Sequence, residues 1–463
     1  MVLISRPDFP AVRIPAVRIE THGCKLNMAD SQRMAREFLA AGFVLDPDGD
    51  GGADPDVYVL NSCTVTHVAD RKARHAFAAA RRAYPAALIV ASGCYPERSQ
   101  AAVDPLEAVD LVVTNRDKPR LVERVAARLG MPAIQPVDGS DAVAIDGPRH
   151  PSAAASMLGR TRAFIKIQEG CDQVCAYCIV PRVRGRERSV AANELVAQVR
   201  AAVDQGVREV VLTGTQLGTY GFDLPGGELP RGALHPGDHP GSLTNLLARL
   251  LTETDIPRVR VSSLQPPEMT DELLALWQGA GRGRLCPHFH MPLQSGSDRV
   301  LARMRRRYTS NGYLDAVMRA RHATPGAAIT TDVIAGFPGE TLGDFEATLD
   351  VVRAAALAGA HVFPYSARPG TSAARFGEQV PPGVRAERAV QIRVVAEASG
   401  RRYREAMVGQ VRPVLWETAS PVPAGLTDNY VRVQMAGRTP RVNHIEEVRL
   451  VAAIGDHLVG QSP

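Results

Sequence analysis

Three of the chain's seven cysteines, Cys171, Cys175 and Cys178, lie close together in the pattern CxxxCxxC. This spacing is too short for separate secondary-structure elements and suits a single loop that wraps around an iron–sulfur cube. Three thiolates hold three irons of a [4Fe–4S] cluster, and the fourth iron stays free to chelate a small molecule. A structural zinc ion would need a fourth Cys or His nearby, and the loop has none. The pattern therefore favours a cluster over zinc.

A second, dispersed set consists of Cys24, Cys63 and Cys94. Over the first ~130 residues short apolar runs alternate with helical patterns, and this order predicts a parallel sheet. Each cysteine lies just past the carboxyl end of a predicted strand, and in an open parallel sheet those ends share the edge at which ligands bind. We therefore expect the three thiols to converge, although free cysteines are also often buried and inert. The strands are predicted at Val17–Thr21, Val57–Leu60 and Leu88–Ala91.

The chain has 463 residues, too many for one ordinary core, so two or three domains are expected. We expect an N-terminal α/β domain over residues 14–131, a central domain over 157–400 and a small C-terminal domain over 404–455. Met131–Arg160 has little periodicity and predicts a linker, and Phe222–Gly241, rich in Gly and Pro, predicts an inserted loop.

Six strand–helix units follow the linker and predict a partial (βα)6 barrel, open enough for a bulky substrate. The fold class is therefore expected to be α/β, with parallel strands in both large domains. The barrel strands are predicted at Arg162–Gln168, Glu209–Thr213, Val259–Ser262, Phe289–Leu293, Ile329–Ile334 and His361–Phe363. A long helix, Arg385–Met407, ends the series.

The last ~55 residues alternate like short strands and predict a small β-barrel. Its arginines make it basic and make nucleic acid a reasonable partner; the alternative is a protein-docking cap. The arginines are Arg432, Arg438, Arg441 and Arg449.

Composition suggests a location inside the cell. No apolar run is long enough to span a bilayer, and the N-terminus lacks an apolar signal core, so we expect a cytoplasmic protein. Seven cysteines without a secretion signal argue for metal binding or catalysis rather than disulfides. The net charge of +5 is modest, and basic clusters such as the one that follows the cysteine loop are either a solvated surface or a phosphate site.

The CxxxCxxC loop, with Tyr177 before its last cysteine, resembles the radical S-adenosylmethionine (SAM) superfamily. In that family the three cysteines bind a [4Fe–4S] cluster, SAM chelates the open iron, and one electron cleaves SAM to a 5′-deoxyadenosyl radical. Nearly the whole chain resembles the methylthiotransferases within it. The segments that carry this resemblance are THGCKLN (21–27), NSCT (61–64), SGC (92–94), LTG (212–214), PLQSGS (292–297), DVIAGFPGET (332–341), FPYSARPGT (363–371) and GLTDNY (425–430), the last of which resembles a tRNA-binding TRAM domain.

The resemblance implies two [4Fe–4S] clusters and two SAM molecules with different tasks. One SAM methylates a sulfur held on an auxiliary cluster of Cys24, Cys63 and Cys94. The other yields the radical at the cluster of Cys171, Cys175 and Cys178, and the radical removes hydrogen from C2 of adenine-37 in the tRNA anticodon loop. An electron donor such as flavodoxin or ferredoxin is implied, and the sulfur source is left open.

Three branches of the family differ in substrate. They modify threonylcarbamoyl-adenosine-37, isopentenyl-adenosine-37 or an aspartate of a ribosomal protein. GCKLN (23–27), RRRYT (305–309) and the FPYS segment are most similar to the threonylcarbamoyl branch, whereas His22 and QLGT (216–219) are less typical of it. A cluster-carrying RNA-binding or redox-sensing protein without turnover is the alternative from another class.

Further site residues are expected around the cofactor. Gly214 and Gly336 would let the backbone approach SAM closely, or mark ordinary turns. Cys286 is expected to be a free thiol, and His288 and His290 to be packed rather than ligating. The remaining candidates are Tyr177, Ser262 and Gln294 for the cofactor, and Arg182, Arg184 and Arg186 for the substrate's carboxylate or a tRNA phosphate.

Overall fold

The computed structural model describes residues 14–46, 54–98, 107–131, 161–225 and 242–463. Most of the predicted linker (132–160) and of the predicted inserted loop (226–241) therefore lie outside the described residues. Within the described part, two α/β units are followed by a small β-barrel. None of the described helices is long and apolar enough to cross a membrane.

The N-terminal unit is a five-stranded parallel sheet in the order β2-β1-β3-β4-β5. The central strand β3 is buried along its whole length because helices cover both faces of the sheet. The strands are β1 Ala16–His22, β2 Val44–Leu45, β3 Val57–Ser62, β4 Leu88–Gly93 and β5 Leu111–Val113, and the helices are α1 Lys25–Ala40, α2 His67–Ala83, α3 Cys94–Arg98 and α4 Leu121–Arg128.

The central unit is a partial barrel of six parallel strands in two sheets, β6-β9-β10 and β11-β12-β13, with an isolated parallel bridge from Val259 to Leu285. The strands are β6 Arg162–Lys166, β9 Glu209–Thr213, β10 Arg258–Val261, β11 His288–His290, β12 Ala328–Ala335 and β13 Gly359–Pro364. A short antiparallel pair, β7 Gln168–Glu169 and β8 Arg188–Ser189, brackets the CxxxCxxC loop.

Helices cover the outside of the barrel, and several begin at a Ser or Thr whose side chain accepts a hydrogen bond from the first turn. The helices are α5 Val180–Arg184, α6 Ala192–Asp204, α7 Leu243–Glu253, α8 Asp271–Gln278, α9 Asp298–Arg303, α10 Ser310–Ala323, α11 Leu342–Ala354 and α12 Pro382–Glu405. Alternate strand residues pack beneath them in one core. The other residues of each strand face the barrel lumen.

The C-terminal unit is a closed five-stranded barrel in the order β14-β15-β16-β18-β17 around Trp416, Val433 and Leu450. Its strands are β14 Val411–Thr418, β15 Ala424–Thr427, β16 Arg432–Met435, β17 Ile445–Ile454 and β18 His457–Gln461. β18 closes the barrel against β16 and β17, yet it lies beyond residue 455, where the sequence suggested that the domain ends.

This small barrel packs against the end of the central barrel where its strands begin. Arg258, the first residue of β10, donates to the backbone oxygen of Pro413 at 2.6 Å. Tyr430 stacks on His288 with ring centroids 4.6 Å apart. The cysteine loop lies at the opposite end, where the strands finish, and the N-terminal unit packs its helix α1 along β6, where Gln32 accepts a hydrogen bond from the Phe164 amide at 2.8 Å.

Candidate active site

The fold brings the dispersed cysteines to one edge of the N-terminal sheet. His22, Ser62 and Gly93 pair in register across the neighbouring strands β1, β3 and β4, which are about 4.8 Å apart. Cys63 and Cys94 directly follow two of these residues, and Cys24 precedes helix α1 two residues after β1 ends. The three thiols therefore lie at adjoining positions.

The backbone at this edge is built around a glycine. Gly93 has φ +98°, and a Cβ placed there would lie 2.4 Å from the backbone oxygen of Ser62. Only glycine fits, both because of the left-handed conformation and because of the close approach to β3. The position of Cys94, the next residue, depends on this contact.

Each thiol of the set has a polar neighbour. Cys24 Sγ donates to Asn27 Oδ1 at 3.4 Å, the amide N–H of Val65 donates to Cys63 Sγ at 3.4 Å, and Asn115 Nδ2 donates to Cys94 Sγ at 3.7 Å. Burial raises the pKa of Cys63 to about 12, and the two neighbouring thiols raise it further. The thiolate form at this edge therefore needs a compensating positive group.

The CxxxCxxC loop forms the second set at the mouth of the barrel. The amide of Gln173 donates to Cys171 Sγ at 3.4 Å, and Arg306 Nη1 donates to Cys175 Sγ at 3.4 Å. Burial raises the pKa of Cys171 to about 12 and that of Cys178 to about 11.

The donor chemistry of both sets suits an iron–sulfur cluster, because each set offers three thiols. All six cysteines are free. Among the described residues, no three His, Cys, Asp or Glu side chains are placed so that they could hold one metal ion. A zinc site would require sulfurs about 2.3 Å from the shared ion. A bound cluster would use each cysteine as a ligand to a different iron, and the irons would favour the thiolate form of the buried thiols despite their raised pKa values.

Helix α5 connects the two sets. It begins two residues after Cys178, and Ile179 and Val183 pack directly against Cys94. Asn115, the hydrogen-bond donor to Cys94, also donates to the backbone oxygen of Val183 at 2.7 Å. The same five-residue helix is therefore fixed to the barrel loop at one end and to the N-terminal edge along its side.

Arg184, the last residue of α5, is buried in an ion-pair network. Its guanidinium donates to Asn27 at 2.9 Å, to Glu169 at 2.7 Å and to Asp30 at 3.3 Å. Asp30 also pairs with Lys118 and Lys166, both at 2.7 Å. These cations hold the pKa of the Asp30 carboxyl far below its usual range despite complete burial.

This network corrects one sequence-based expectation. Arg184 is not free to hold a substrate carboxylate or a tRNA phosphate, because it is buried and three hydrogen bonds hold its guanidinium inside the protein. Arg182 and Arg186 are exposed, and Arg186 pairs with Asp172 at 2.9 Å. Of the three arginines, only these two remain candidates for RNA contacts.

The barrel lumen contains several polar and charged side chains. Arg260 makes a two-point contact with Glu209 at 2.7 and 3.1 Å, and His290 pairs with Asp332 at 3.3 Å. Lys25 reaches in from helix α1 to within 3.4 Å of the backbone oxygen of Ser262. Burial, together with the nearby arginines, lowers the pKa of Lys25 to about 8.

The expected cofactor residues lie around this lumen, at the ends of strands. Ser262 is buried directly after β10, and Gln294, with φ +65°, forms an isolated bridge with Val333. Gly214 follows β9 and lies against Gln168 and Leu217. Tyr177 packs beside the apolar cluster of Phe337 and Tyr365 and close to Arg306.

Backbone conformation and steric contacts explain why residue 336 is a glycine. Its φ is +72°, and a Cβ there would lie 2.2 Å from the side chain of Arg385. The space next to it is thus filled by helix α12, which favours the ordinary-turn interpretation over a cofactor contact.

Several residues of the site carried no distinct sequence signal. Asn27 lies within the GCKLN segment, but its contacts with Cys24 and Arg184 depend on the tertiary structure. Asp30 and Asn115 resemble ordinary surface residues in the sequence. Arg306 belongs to an arginine cluster whose other members give no hint that this one turns inward towards Cys175.

Cys286 is remote from both sets. It is buried at the beginning of the β11 region, and burial raises its pKa to about 12. It lines a cavity of about 640 Å³ with Trp277 and Arg412, at the end of the barrel opposite the other cysteines. His288 and His290 hydrogen-bond to Thr330, so they are packed as expected.

Two families match the chain. The radical SAM superfamily matches residues 165–352, which span the barrel from β6 into α11. The uncharacterized protein family UPF0004 matches residues 16–114, which contain all five strands of the N-terminal sheet.

Curated relatives match over almost the full length. The chain is 33% identical over 444 residues to the threonylcarbamoyladenosine tRNA methylthiotransferase MtaB of Bacillus subtilis, with 94% of both chains covered. It is 37% identical over 439 residues to the tRNA-2-methylthio-N(6)-dimethylallyladenosine synthase of Mycobacterium bovis, with 93% of this chain and 81% of that protein covered.

A solved structure supports the fold. The radical SAM methyltransferase TsrM of Kitasatospora setae, bound to tryptophan and a SAM analog, aligns with a TM-score of 0.52 at 16% identity. The alignment covers 75% of this chain and 73% of that one.

Proposed function

The chain belongs to the radical SAM tRNA methylthiotransferases, and we propose that it acts at C2 of N6-threonylcarbamoyladenosine-37. Enzymes of this family use SAM and [4Fe–4S] clusters to methylthiolate tRNA. Membership of this enzyme family excludes the alternative of a cluster-carrying RNA-binding or redox-sensing protein that catalyses no reaction. The proposal itself concerns the N6 substituent of the substrate adenosine and its position in the anticodon loop.

We assign the two cysteine sets to two clusters. Cys171, Cys175 and Cys178 would hold the one that binds SAM, and Cys24, Cys63 and Cys94 the auxiliary one. When bound, these groups supply the one-electron cleavage and the sulfur that substitution of an unactivated aryl C–H requires. The support is geometric: one set lies in the loop that leads into α5, Cys94 of the other packs against the side of α5, and polar groups contact the thiols in each.

The protein's own residues position and insulate this chemistry. Arg306 donates both to Cys175 and to Gln265, the latter at 2.8 Å, so its charge stays beside the barrel loop. Ile179 and Val183 place an apolar layer against Cys94, which keeps water from that side. The network around Asp30 holds the N-terminal edge at a fixed distance from the barrel mouth.

The charged lumen is the observation that carries the choice of substituent. Threonylcarbamoyl bears a carboxylate and a hydroxyl, whereas dimethylallyl is wholly apolar and would leave buried polar groups without partners. Phe164 and Val211 are apolar and pack against Ala29 of α1, whereas many of the other lumen-facing side chains are polar or charged. They include Lys25, Arg162, Lys166, Glu209, Arg260, His290, Asp332 and His361.

The C-terminal barrel is the proposed RNA-binding module. Arg432, Arg438, Arg441 and Arg449 are all exposed on it, where they can contact phosphates. A tRNA substrate places the reaction in the cytoplasm, and we expect a small electron carrier such as flavodoxin or ferredoxin to supply the electron.

Nucleoside mass spectrometry of tRNA from a deletion strain tests the proposal. We expect the methylthio form of threonylcarbamoyladenosine to disappear and to return on complementation with the intact gene. Loss of the methylthio form of isopentenyladenosine instead would assign the chain to the branch of its 37% identical relatives. If both nucleosides were unchanged, the remaining alternative would be the ribosomal-protein aspartate, checked in the same strain by proteomics.

A further inference from the structure

Lys25 occupies an unusual position in the lumen. It directly follows Cys24 in the sequence, yet its ammonium points away from the sheet edge and into the barrel. The ammonium donates to the Ser262 carbonyl oxygen at 3.4 Å and faces the ring of Tyr430, whose centroid is 5.6 Å away. An ammonium group has three donors, and one long hydrogen bond leaves it poorly satisfied.

The other strong cations of the lumen already have partners. Arg260 is paired with Glu209, Arg162 contacts Glu417 at 2.8 Å, and Lys166 contacts Asp30 at 2.7 Å. Within the described residues, Lys25 takes part in no ion pair. Lys25 is therefore a cation in this space that can accept an incoming anion without breaking an existing pair.

The geometry of adenine connects Lys25 to the reaction. C2 and C6 of adenine flank the ring nitrogen N1, and N6 is attached to C6, so a base with C2 turned to the cysteine sets carries its N6 substituent into the adjoining space. Cys24 and Lys25 are consecutive, and their side chains face the sulfur site and the lumen respectively. A substituent ending in a carboxylate would meet the ammonium there and form a charge-assisted hydrogen bond.

We infer that Lys25 is a specificity-determining residue that binds the carboxylate of the N6 substituent and so selects an acidic side group over an apolar one. This inference rests on the proposed function and adds the group that recognises the substrate. An apolar substituent would desolvate the ammonium without forming a hydrogen bond or an ion pair with it, so such a substrate would bind more weakly.

The test compares substrates on the reconstituted holoenzyme. Anticodon stem-loop RNAs would carry threonylcarbamoyladenosine-37, its carboxamide analogue or isopentenyladenosine-37. With wild-type enzyme we expect kcat/KM for the acid to exceed that for the amide by about 10- to 100-fold, the usual range for one charged hydrogen bond. Equal turnover of acid and amide by wild-type enzyme would overturn the inference without any mutation.

The variant arm uses Lys25→Met, with Lys72→Met on the exposed face of α2 as the matched control. In Lys25→Met we expect acid and amide to react about equally, and iron per chain is measured alongside so that loss of selectivity is told apart from loss of a cluster. Lys25→Arg should restore part of the preference, and Lys72→Met should keep all of it. A full preference in Lys25→Met would contradict the assignment.

The outcomes separate this inference from the proposed function. If wild-type enzyme methylthiolates the acid but Lys25→Met does so with unchanged selectivity, the substrate stands and the role of Lys25 is wrong. If wild-type enzyme acts on isopentenyladenosine RNA and not on the acid, the proposed substrate is wrong and the inference is overturned with it. Should Lys25→Met lose iron, the wild-type comparison of acid with amide decides.

Discussion

Arg184 Nη2 and Asn27 Oδ1 lie 2.9 Å apart, and the same Asn27 oxygen accepts from Cys24 Sγ at 3.4 Å. One oxygen atom thus joins a barrel residue to a thiol of the N-terminal edge. The shared acceptor makes the position of Cys24 depend on helix α5, and therefore on the loop that carries Cys178. Docking of the two units and assembly of the two cysteine sets are one structural event.

Replacing Arg184 with Met should destabilise the docked state. The change leaves the buried Asp30 and Glu169 carboxylates short of one cation, and breaking a buried pair costs about 3–5 kcal/mol, less here because Lys118 and Lys166 remain. The midpoint of denaturant unfolding measures it. Arg186→Met removes the same group from an exposed pair and should change the midpoint little; equal effects of the two variants would contradict the role given to the network.

A methyl group at position 93 should disturb one cysteine set and spare the other. In Gly93→Ala the new Cβ would push against the Ser62 backbone and displace Cys94. After anaerobic reconstitution we expect iron per chain to fall to about half while SAM cleavage continues. Gly42→Ala is the control, since Gly42 also has positive φ but has open space around it. Full iron loading of Gly93→Ala would show that the edge tolerates the shift.

Glu268 should make stability fall as the pH rises. Burial raises the pKa of its carboxyl to about 7, whereas an unfolded Glu titrates near 4.3. Between these values the folded chain keeps a proton that the unfolded chain has released, so the free energy of unfolding decreases with pH. From pH 5 to 8 the loss should be about 2–3 kcal/mol.

Glu268→Gln removes one titrating group and should make this part of the curve shallower, while Glu187, whose pKa burial raises to about 8, still contributes to the slope. The exposed Glu272→Gln serves as the control and should keep the wild-type slope. Denaturant midpoints at several pH values give the comparison. An unchanged slope in Glu268→Gln would mean that other groups cause the dependence.

Local sequence patterns predicted the elements that carry the cysteines. The runs before Cys24, Cys63 and Cys94 are apolar strands of a parallel sheet, and the structure places these strands side by side. The six barrel strands were predicted for the same reason, because a strand packed beneath helices needs apolar residues at alternate positions. The fold class could therefore be predicted from the amino-acid sequence alone.

Tertiary contacts were not accessible in the same way. Nothing near Arg184 indicates that its partners are Asn27, Asp30 and Glu169, since two of them lie more than 150 residues away along the chain. A basic run after a cysteine loop suggests phosphate binding, whereas burial in a domain interface gives this arginine a different role. Strand β18 was not predicted because its segment is short and can be recognised as a strand only from its pairing with β16 and β17.

The most direct test of the two-cluster account counts iron and follows both half-reactions in two triple variants. Wild-type enzyme should hold about eight irons per chain, four in each cluster. Replacing Cys171, Cys175 and Cys178 with Ala should abolish formation of 5′-deoxyadenosine, whereas replacing Cys24, Cys63 and Cys94 should leave SAM cleavage intact and stop thiolation of tRNA. Continued thiolation by the second variant, or fewer than about six irons in the wild-type enzyme, would contradict the account.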